Sequence, residues 1–550
     1  MIPIIECVPN FSEGQNSEII KQITDQIESV TGVRLLNVDP GKATNRTVVT
    51  FVGSPEAVVE AAFLAIRKAG ELIDMRTHRG EHPRMGATDV CPLIPIAGIS
   101  MEETAVWARR LAERVGEQLQ IPVYLYEAAQ PDKRRSNLSV IRAGEYEGFF
   151  KKIKLPEWAP DYGPVELDTR RGGTVIGARD FLVAYNVNLN TTSTRRANAI
   201  AFDVREAGRV IKEGEKSVQI PGTLKAVKAI GWYIEEYGIA QISMNLTNIQ
   251  VTPVHVAFDE VCRAAAERGI RVTGSELVGL IPLQAMLDAG KYFLEKQQRS
   301  IGVSEKELIR IAILSMGLDE LGPFKPEERI IEYLLRDVSA ERLISLTLRD
   351  FADETASESP APGGGSIAAY VGSLGAALGT MVANLSSHKK GWDDRWAAFS
   401  DWADKGQRHK DELLRLVDAD TRAFNGIMAA FALPKSNEAE KALRHQAIQE
   451  ATRTAIEVPF RVMEVAYASL EVIGAMAAEG NPNSVSDAGV GALCARAAVL
   501  GAFLNVRINA AGYEDKGYIA KLLEKGAAIE AGTIQAEGAI LQIVRDKIGV

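Results

Sequence analysis

The chain has 550 residues, of which 46% are hydrophobic and 25% are charged, and its formal net charge is -9. This length is too great for one hydrophobic core and predicts two to four domains. The acidic balance argues against a nonspecific nucleic-acid-binding protein, because such proteins need a basic surface. The four cysteines lie far apart in the sequence, which indicates free thiols in the cytoplasm rather than a disulfide framework or a zinc site. The first residues also lack the pattern of a signal peptide.

The first 300 residues alternate between strand and helix patterns in two rounds. In the first round, strand patterns cover 3–11, 33–40 and 46–54, and helix patterns cover 16–30 and 54–73. In the second round, strand patterns cover 174–189, 228–246 and 271–282, and helix patterns cover 192–207 and 255–270. Asn16 or Ser17 is the expected cap of the first helix, and Ser54 before Pro55 is a good start for the second. This order predicts two α/β subdomains, each a sheet covered by helices, with a ligand cleft between them.

Beyond residue 340 the strand patterns almost disappear and Ala-rich helical patterns take over. These patterns cover 340–356, 365–387, 394–431, 436–478, 486–511 and 515–548. We therefore expect α/β subdomains over 1–178 and 179–300, a helical linker over 301–339, and an all-α domain over 340–550. The uncharged stretch 364–387 is long enough to cross a bilayer. Its small residues favour a buried helix instead, so we expect no membrane association.

A loop with two histidines is the candidate centre of an active site. His78 and His82 lie four residues apart in "THRGEHPRMG", with Arg84 close behind. His82 could exchange protons near neutral pH, or it could be a hydrogen-bonded loop histidine. A metal site would need both histidines on one helix face, and Gly80 and Pro83 oppose a helix there. We therefore expect no metal.

Two charged residues are candidate partners of this loop. Asp39, which precedes a turn, could orient His82 or hold a cationic substrate group, or it could bond its own backbone. Arg84 could bind a substrate carboxylate with its two parallel donors, or it could be a surface arginine.

The helical half carries its own candidate residues. Asp418 and Asp420 are two apart and point about 200° apart on a helix, so only one readily faces a given pocket; both could instead be solvated. The Gly-rich string that contains Gly363 and Gly364 lacks the G-K-[ST] ending of a phosphate-binding loop. The helix that begins at these glycines nevertheless offers free backbone amides to an anionic or carbonyl ligand. Further polar candidates are Asn481, Asn505 and Asn509. The last two share a helix face, which predicts either a ligand pocket or interhelical hydrogen bonds.

Several long strings resemble known families. The strings "ECVPNFSEG", "HRGEHPRMGATDVCP", "TVIGARDFLVAYNVNL" and "GSELVGLIP" resemble glutamate formimidoyltransferase. The strings "APGGGSIAA", "LVDADTRAFNGIMAAFALPK" and "GNPNSVSDAGVGALCARAAVLGAFLNVRIN" resemble formimidoyltetrahydrofolate cyclodeaminase. Their order resembles that of the fused formiminotransferase-cyclodeaminase family, over nearly the whole chain.

The resemblance implies transfer of a formimidoyl group from N-formimidoyl-L-glutamate to N5 of tetrahydrofolate. It also implies ring closure to 5,10-methenyltetrahydrofolate with loss of ammonia, as in histidine degradation and one-carbon metabolism. His82 would be the transferase catalytic residue and Asp420 the deaminase one, and the segment from Gly163 to Gly172, with Gly173, would contact folate.

By the same resemblance, tetrahydrofolate, with or without a polyglutamate tail, would be the co-substrate, no metal would be needed, and domain dimers would build a homo-oligomer. Two alternatives stay open. The helical domain could be a methenyltetrahydrofolate cyclohydrolase, or the protein could be a non-catalytic folate-binding scaffold.

Overall fold

The computed structural model describes residues 3–42, 44–80, 83–166, 168–213, 216–335, 343–359 and 361–549. The chain divides into two compact units. The first comprises Met1–Ala285 and Met316–Arg336, and the second comprises Met286–Ser315 and Asp337–Val550. The first unit contains two α/β subdomains and the second is helical, as the sequence patterns predict.

The first subdomain is one sheet with helices. Its elements are β1 (Ile4–Cys7), β2 (Asn10–Phe11), α1 (Ser17–Glu28), β3 (Val33–Gly41), β4 (Arg46–Gly53), α2 (Pro55–Leu72), β5 (Thr88–Ala97), α3 (Met101–Leu119), β6 (Val123–Glu127), α4 (Leu138–Ile141), α5 (Glu145–Lys152) and β7 (Thr174–Ala178). The strand order is β3-β4-β1/β2-β5-β7-β6, with β1 and β2 both between β4 and β5. The pairings of β7 with β5 and β6 are parallel, and the others are antiparallel.

The two faces of this sheet differ in character because side chains alternate along a strand. Ile5, Cys7 and Phe51 are fully buried in the core shared with α1, α2 and α3. Glu6, between Ile5 and Cys7, and Asp39, opposite Val48, lie on the other face of the sheet. Asn16 and Ser54 cap α1 and α2, as predicted.

The second subdomain is a four-stranded antiparallel sheet. Its elements are β8 (Val183–Leu189), α6 (Thr194–Val204), β9 (Arg209–Glu213), β10 (Lys216–Ile220), β11 (Val227–Ile234), β12 (Ile239–Leu246), α7 (Val254–Ala266) and β13 (Val272–Val278). The strand order is β11-β12-β8-β13, while β9 and β10 form a separate hairpin. Tyr185 faces Cys262 of α7, so Asn186 and Asn188 lie on the opposite face.

Two differences from the predicted organisation concern continuity. The pattern over 174–189 is not one strand, because β7 belongs to the first sheet and β8 to the second. The segment predicted as a linker, 301–339, is shared between the units. Its first part packs in the helical unit, where Gly302 touches Ala403. Its second part packs in the α/β unit, where Ser275 donates to the carbonyl of Met316.

The remaining elements are helices. They are α8 (Leu283–Lys296), α9 (Glu305–Met316), α10 (Pro326–Arg329), α11 (Ile331–Leu335), α12 (Leu348–Thr355), α13 (Gly364–Ser387), α14 (Trp396–Ala432), α15 (Glu438–Glu479), α16 (Val485–Ala510) and α17 (Lys516–Ile548). The helix predicted over 340–356 is α12, and residues 336–342 lie outside the described part of the chain.

Small residues let the long helices approach one another closely. A Cβ at Gly375 of α13 would lie only 2.8 Å from the carbonyl oxygen of Gly491 in α16. Within the described residues, two helical stretches are long and apolar enough to cross a membrane, Gly364–Ser387 and Pro482–Ala510. The most apolar parts of these two stretches are 61% and 50% buried, as is typical of core helices in a helical domain.

Candidate active sites

Glu81 and His82 lie outside the described residues, but the residues on either side of them are described. Asn45, in the turn between β3 and β4, ties the first flank to the sheet. Its Nδ2 donates to the carbonyl of Arg79 at 2.9 Å, and its Oδ1 accepts from the amide of Gly14 at 3.0 Å. Its carbonyl oxygen accepts from Nε2 of His78 at 2.8 Å. One turn residue, Asn45, therefore holds the segment that precedes His82 in the sequence.

His78 is a neutral structural histidine. Because Nε2 donates to a carbonyl, Nδ1 is free to accept, and Nε of Arg84 lies 3.3 Å from it. Burial lowers the pKa of His78, which favours this neutral form. Both ring nitrogens thus have partners, so His78 offers no lone pair to a metal. No group of three metal-binding side chains occurs within the described residues.

Arg84 is held by two acidic residues. It is buried rather than on the surface, and its guanidinium binds two carboxylates of α5. The distances are 3.0 Å and 2.7 Å to Glu147 and 3.1 Å to Glu145. These partners occupy donors that a substrate carboxylate would use, and binding of a substrate by Arg84 stays a prediction. Sequence reasoning missed them because they lie 61 and 63 residues further along the chain.

Asp39 faces the second subdomain. It lies within β3, opposite Val48, and not in the turn where it would bond its own backbone. Burial raises the pKa of its carboxyl group, and the nearby charge of Arg329 partly offsets this rise. Tyr237 of the second subdomain also feels the charge of Asp39. The carboxyl group therefore interacts with a residue of the second subdomain, and its role with a cationic substrate group stays a prediction.

Glu6 adds a second carboxyl group on the same face of the first sheet as Asp39. It is almost completely buried, and its Oε2 has no hydrogen-bond partner within the described part of the chain. Burial raises the pKa of Glu6 to about 7, against the opposing charge of Arg179. A carboxyl group with this pKa can exchange a proton near neutral pH.

The polar face of the second sheet carries residues that sequence reasoning missed. Nδ2 of Asn186 donates to Glu276 at 3.1 Å, and Nε2 of Gln241 donates to Asn188 at 2.8 Å. Nδ2 of Asn188 donates in turn to Glu320 at 2.6 Å. The available signal was the alternation of asparagine with apolar residues in "VAYNVNL", which is typical of a strand with one polar face.

The glycines predicted to contact folate pack against the protein's own backbone. A Cβ at Gly163 would lie 2.4 Å from the carbonyl oxygen of Ile121, and one at Gly172 would lie 2.3 Å from that of Met85. The amide of Gly173 donates to the same Met85 carbonyl at 3.1 Å. Both Gly163 and Gly172 also have positive φ angles, which glycine adopts without strain. Their absent side chains thus admit neighbouring backbone, and contact of this segment with folate stays a prediction.

Asp420 is seated at the start of α13. Its Oδ2 accepts from Oγ of Ser366 at 3.0 Å, and the backbone amide of Ser366 also donates to it. Burial raises the pKa of Asp420, and the Ser366 hydrogen bonds partly oppose this rise. Asp418 points elsewhere and accepts from the amide of Leu343 at 2.8 Å. The two aspartates therefore diverge, as their spacing predicts.

The glycines before Ser366 complete this seat. Gly363 is the N-cap of α13, and a Cβ at Gly364 would lie 3.3 Å from Nδ2 of Asn505. Asn505 therefore lies beside the helix start, where its Nδ2 donates to the carbonyl of Gly501 at 2.9 Å. This places Gly364, Asp420 and Asn505 around one helix end.

The other two asparagines do not join this group in the same way. Nδ2 of Asn509 donates to the carbonyl of Ala455 in α15 at 2.7 Å, which is the interhelical alternative. The amide of Asn481 donates to Ser386 at the opposite end of α13. At 1.5 Å per residue, Ser366 and Ser386 are about 30 Å apart. Asn481 is therefore not part of the pocket around Asp420 within one chain.

Comparison with known proteins identifies both halves. Residues 4–179 match the family model of the formiminotransferase N-terminal subdomain, residues 184–336 that of the formiminotransferase domain, and residues 347–528 that of formiminotransferase-cyclodeaminase. A formimidoyltransferase-cyclodeaminase of Gallus gallus is 45% identical over 520 residues, which are 94% of each chain.

Two shorter relatives match parts of the chain. A glutamate formimidoyltransferase of Streptococcus pyogenes serotype M1 is 41% identical over 295 residues, 54% of this chain and 94% of its own. A methenyltetrahydrofolate cyclohydrolase of Methylorubrum extorquens is 37% identical over 204 residues, 37% of this chain and 97% of its own. The resemblance seen in the sequence is confirmed by the full-length similarity, and the chain belongs to the formimidoyltransferase-cyclodeaminase family.

Proposed function

We propose that the chain is a bifunctional folate enzyme with one reaction in each unit. The α/β unit transfers the formimidoyl group of N-formimidoyl-L-glutamate to N5 of tetrahydrofolate and releases glutamate. The helical unit closes the ring of the product to 5,10-methenyltetrahydrofolate and releases ammonia. The observation that carries this proposal is full-length similarity to enzymes of this name, with a separate acid–base candidate in each compact unit.

In the transfer, N5 attacks the carbon of the cationic amidine and a tetrahedral adduct forms. A proton must leave N5 and another must reach the departing glutamate nitrogen. His82 is the proposed carrier of both protons. Asp39 is the proposed partner of the positive charge, since its carboxyl group interacts electrostatically with Tyr237 of the second subdomain.

In the ring closure, N10 attacks the formimidoyl carbon and the exocyclic nitrogen leaves as ammonia. That nitrogen needs a proton before the bond breaks. Asp420 is the proposed donor, because burial keeps its carboxyl group protonated to higher pH than a solvated aspartate. Ser366 holds the carboxyl group in one orientation.

Exposed apolar side chains support the proposal of a homo-oligomer built from domain dimers. On α13 and α16 these are Leu374, Met381, Leu385, Val490, Leu493, Leu504 and Ile508. A row of such residues on adjacent helices is typical of a surface that a second protein covers. We further propose a cytoplasmic location, catalysis without a metal, and tetrahydrofolate as co-substrate with or without a polyglutamate tail.

A second candidate function for the helical unit is hydrolysis of methenyltetrahydrofolate. The similarity of this chain to the Methylorubrum cyclohydrolase favours it. The two reactions differ in their products, because only ring closure of the formimidoyl compound releases ammonia.

The test uses the purified protein with N-formimidoyl-L-glutamate and tetrahydrofolate. Methenyltetrahydrofolate, measured by its absorbance, should form in the same amount as glutamate and ammonia. Release of glutamate without ammonia would support the proposed transferase reaction and overturn the proposed deaminase reaction. Tight folate binding with no product would favour the non-catalytic scaffold.

A further inference from the structure

Glu276 of β13 presents a carboxylate that two buried amides hold in place. It lies directly opposite Asn186 in the sheet. Its Oε2 accepts from Nδ2 of Asn186 at 3.1 Å and from Nε2 of Gln241 at 3.4 Å. Both amide side chains are buried, whereas Glu276 is half-buried. The two amides engage only Oε2, and a carboxylate has about four acceptor positions, so the group can accept from Tyr237 and from one more donor.

The direction of these hydrogen bonds is fixed by an indole. Nε1 of Trp232 lies 3.0 Å from Oε1 of Gln241, and an indole N–H can only donate. The amide of Gln241 must therefore direct Nε2 toward Asn188 and Glu276. Glu276 consequently meets N–H donors and not carbonyl oxygens.

The position of Glu276 places it near the transferase candidates. Tyr237 hydrogen-bonds to Glu276 and also feels the charge of Asp39, which in turn interacts with Arg329. On the same face of the second sheet, Lys228 interacts electrostatically with Glu127 of the first subdomain. Electrostatic interactions therefore link this face of the second sheet with the first subdomain, and Tyr237 interacts with both Glu276 and Asp39.

The chemistry of the donor substrate matches this carboxylate. An N-formimidoyl group is an amidine, which is protonated at neutral pH and spreads its charge over two nitrogens. Its N–H groups lie in one plane, like those of a guanidinium, and planar cations of this kind pair well with carboxylates. Retaining the charge also keeps the central carbon electrophilic toward N5.

We propose that Glu276 is a substrate-binding residue of the transferase, whose carboxylate accepts an N–H of the cationic formimidoyl group. This inference rests on the proposed transferase function. It adds a residue that determines specificity for the cation, because a neutral N-formyl group of nearly the same shape would lose the charge interaction.

The test is Glu276→Gln in the full-length protein. Its side-chain oxygen can still accept from Asn186 and Gln241, so thermal unfolding should change little. A charge-assisted hydrogen bond is worth about 1.5–3 kcal/mol, so the KM for N-formimidoyl-L-glutamate should rise about 10- to 150-fold. The KM for tetrahydrofolate and the ring-closing activity should stay within about twofold.

The matched control is Glu206→Gln, which lies in the second subdomain but outside this network. Glu206 is exposed and accepts from the backbone amide of Ala226, so its replacement should leave the KM for the donor unchanged. A second readout is competition by N-formyl-L-glutamate. The wild-type protein should prefer the cationic substrate to this neutral analogue, and Glu276→Gln should lose most of that preference.

The outcomes separate this proposal from the proposed function. Absence of formimidoyl transfer by the wild-type protein would overturn the function itself. Normal transfer with unchanged KM in Glu276→Gln, or a rise only in the KM for tetrahydrofolate, would overturn the role of Glu276. Should Glu276→Gln unfold, Glu276→Asp gives the answer, because it keeps the charge. It should retain the preference for the cation, and loss of that preference in folded Glu276→Asp would contradict the proposal.

Discussion

Replacing Gly365 by alanine should disable ring closure without touching the transferase. A Cβ at Gly365 would lie 2.2 Å from Oδ1 and 2.6 Å from Cγ of Asp420. Ordinary van der Waals contact begins at 3.4 Å. Because a close-packed interior does not absorb an overlap of this size, the carboxyl group must move away by roughly 1 Å. That movement breaks its hydrogen bond to Ser366.

The size of the effect follows from geometry. Displacing a reacting group by about 1 Å costs about 10² in rate. We therefore expect a fall of this order in kcat for conversion of 5-formimidoyltetrahydrofolate, measured by methenyl absorbance together with ammonia. Alanine is a better helix former than glycine by about 1 kcal/mol, which offsets part of the steric cost to folding. Transfer should proceed at the wild-type rate, because its residues lie in the other unit.

The control is Gly501→Ala, in the neighbouring helix α16. The nearest atom to a Cβ at Gly501 is Cβ of Ala368 at 3.5 Å, so this substitution fits and should leave both activities intact. Full ring-closing activity in a folded Gly365→Ala protein would refute the reasoning, because the position of the Asp420 carboxyl group would then not matter.

Three further predictions concern individual side chains. His82→Ala should lower the rate of formimidoyl transfer by about 10²–10⁴ and spare ring closure, and Asp420→Asn should do the reverse. Each activity is assayed with its own substrate. If both activities fell together in a folded protein, the assignment of two separate sites would be contradicted. Glu6→Gln should gain stability over the wild type as pH rises, because the unfolded carboxyl group ionises near pH 4.5 and the folded one near 7, so the native protein loses stability across that window. The difference should reach on the order of 3 kcal/mol above pH 7, and urea unfolding that gives the same difference at pH 4 and pH 8 would exclude the buried carboxylate as its cause. Asn45→Ala should lower kcat of transfer about tenfold, because two side-chain hydrogen bonds of about 1 kcal/mol each no longer hold the loop before His82. An unchanged kcat would show that this tie has no catalytic role.

The architecture was accessible from sequence because its signals are local. The caps of α1 and α2 and the long Ala-rich helices each depend on residues within a few positions of one another. The divergence of Asp418 and Asp420 likewise follows from helix geometry alone.

The site partners were less accessible because they depend on distant segments. The sequence around Arg84 does not reveal that carboxylates more than 60 residues away occupy its guanidinium. Asn481 carries the same composition signal as Asn505, yet the fold places it at the far end of α13. Asn186 was within reach, because its alternation with apolar neighbours is a local pattern that indicates a polar sheet face.

The division of the chain between the two units has a practical consequence for anyone wishing to separate the activities. The polypeptide passes from one unit to the other near residues 285, 315 and 336, so no single cut yields both halves whole. A chain cut after residue 300 would lose Glu320, which receives the Asn188 amide, and Arg329, which interacts with Asp39. An isolated transferase half therefore needs the stretch from 316 to 335 supplied with it.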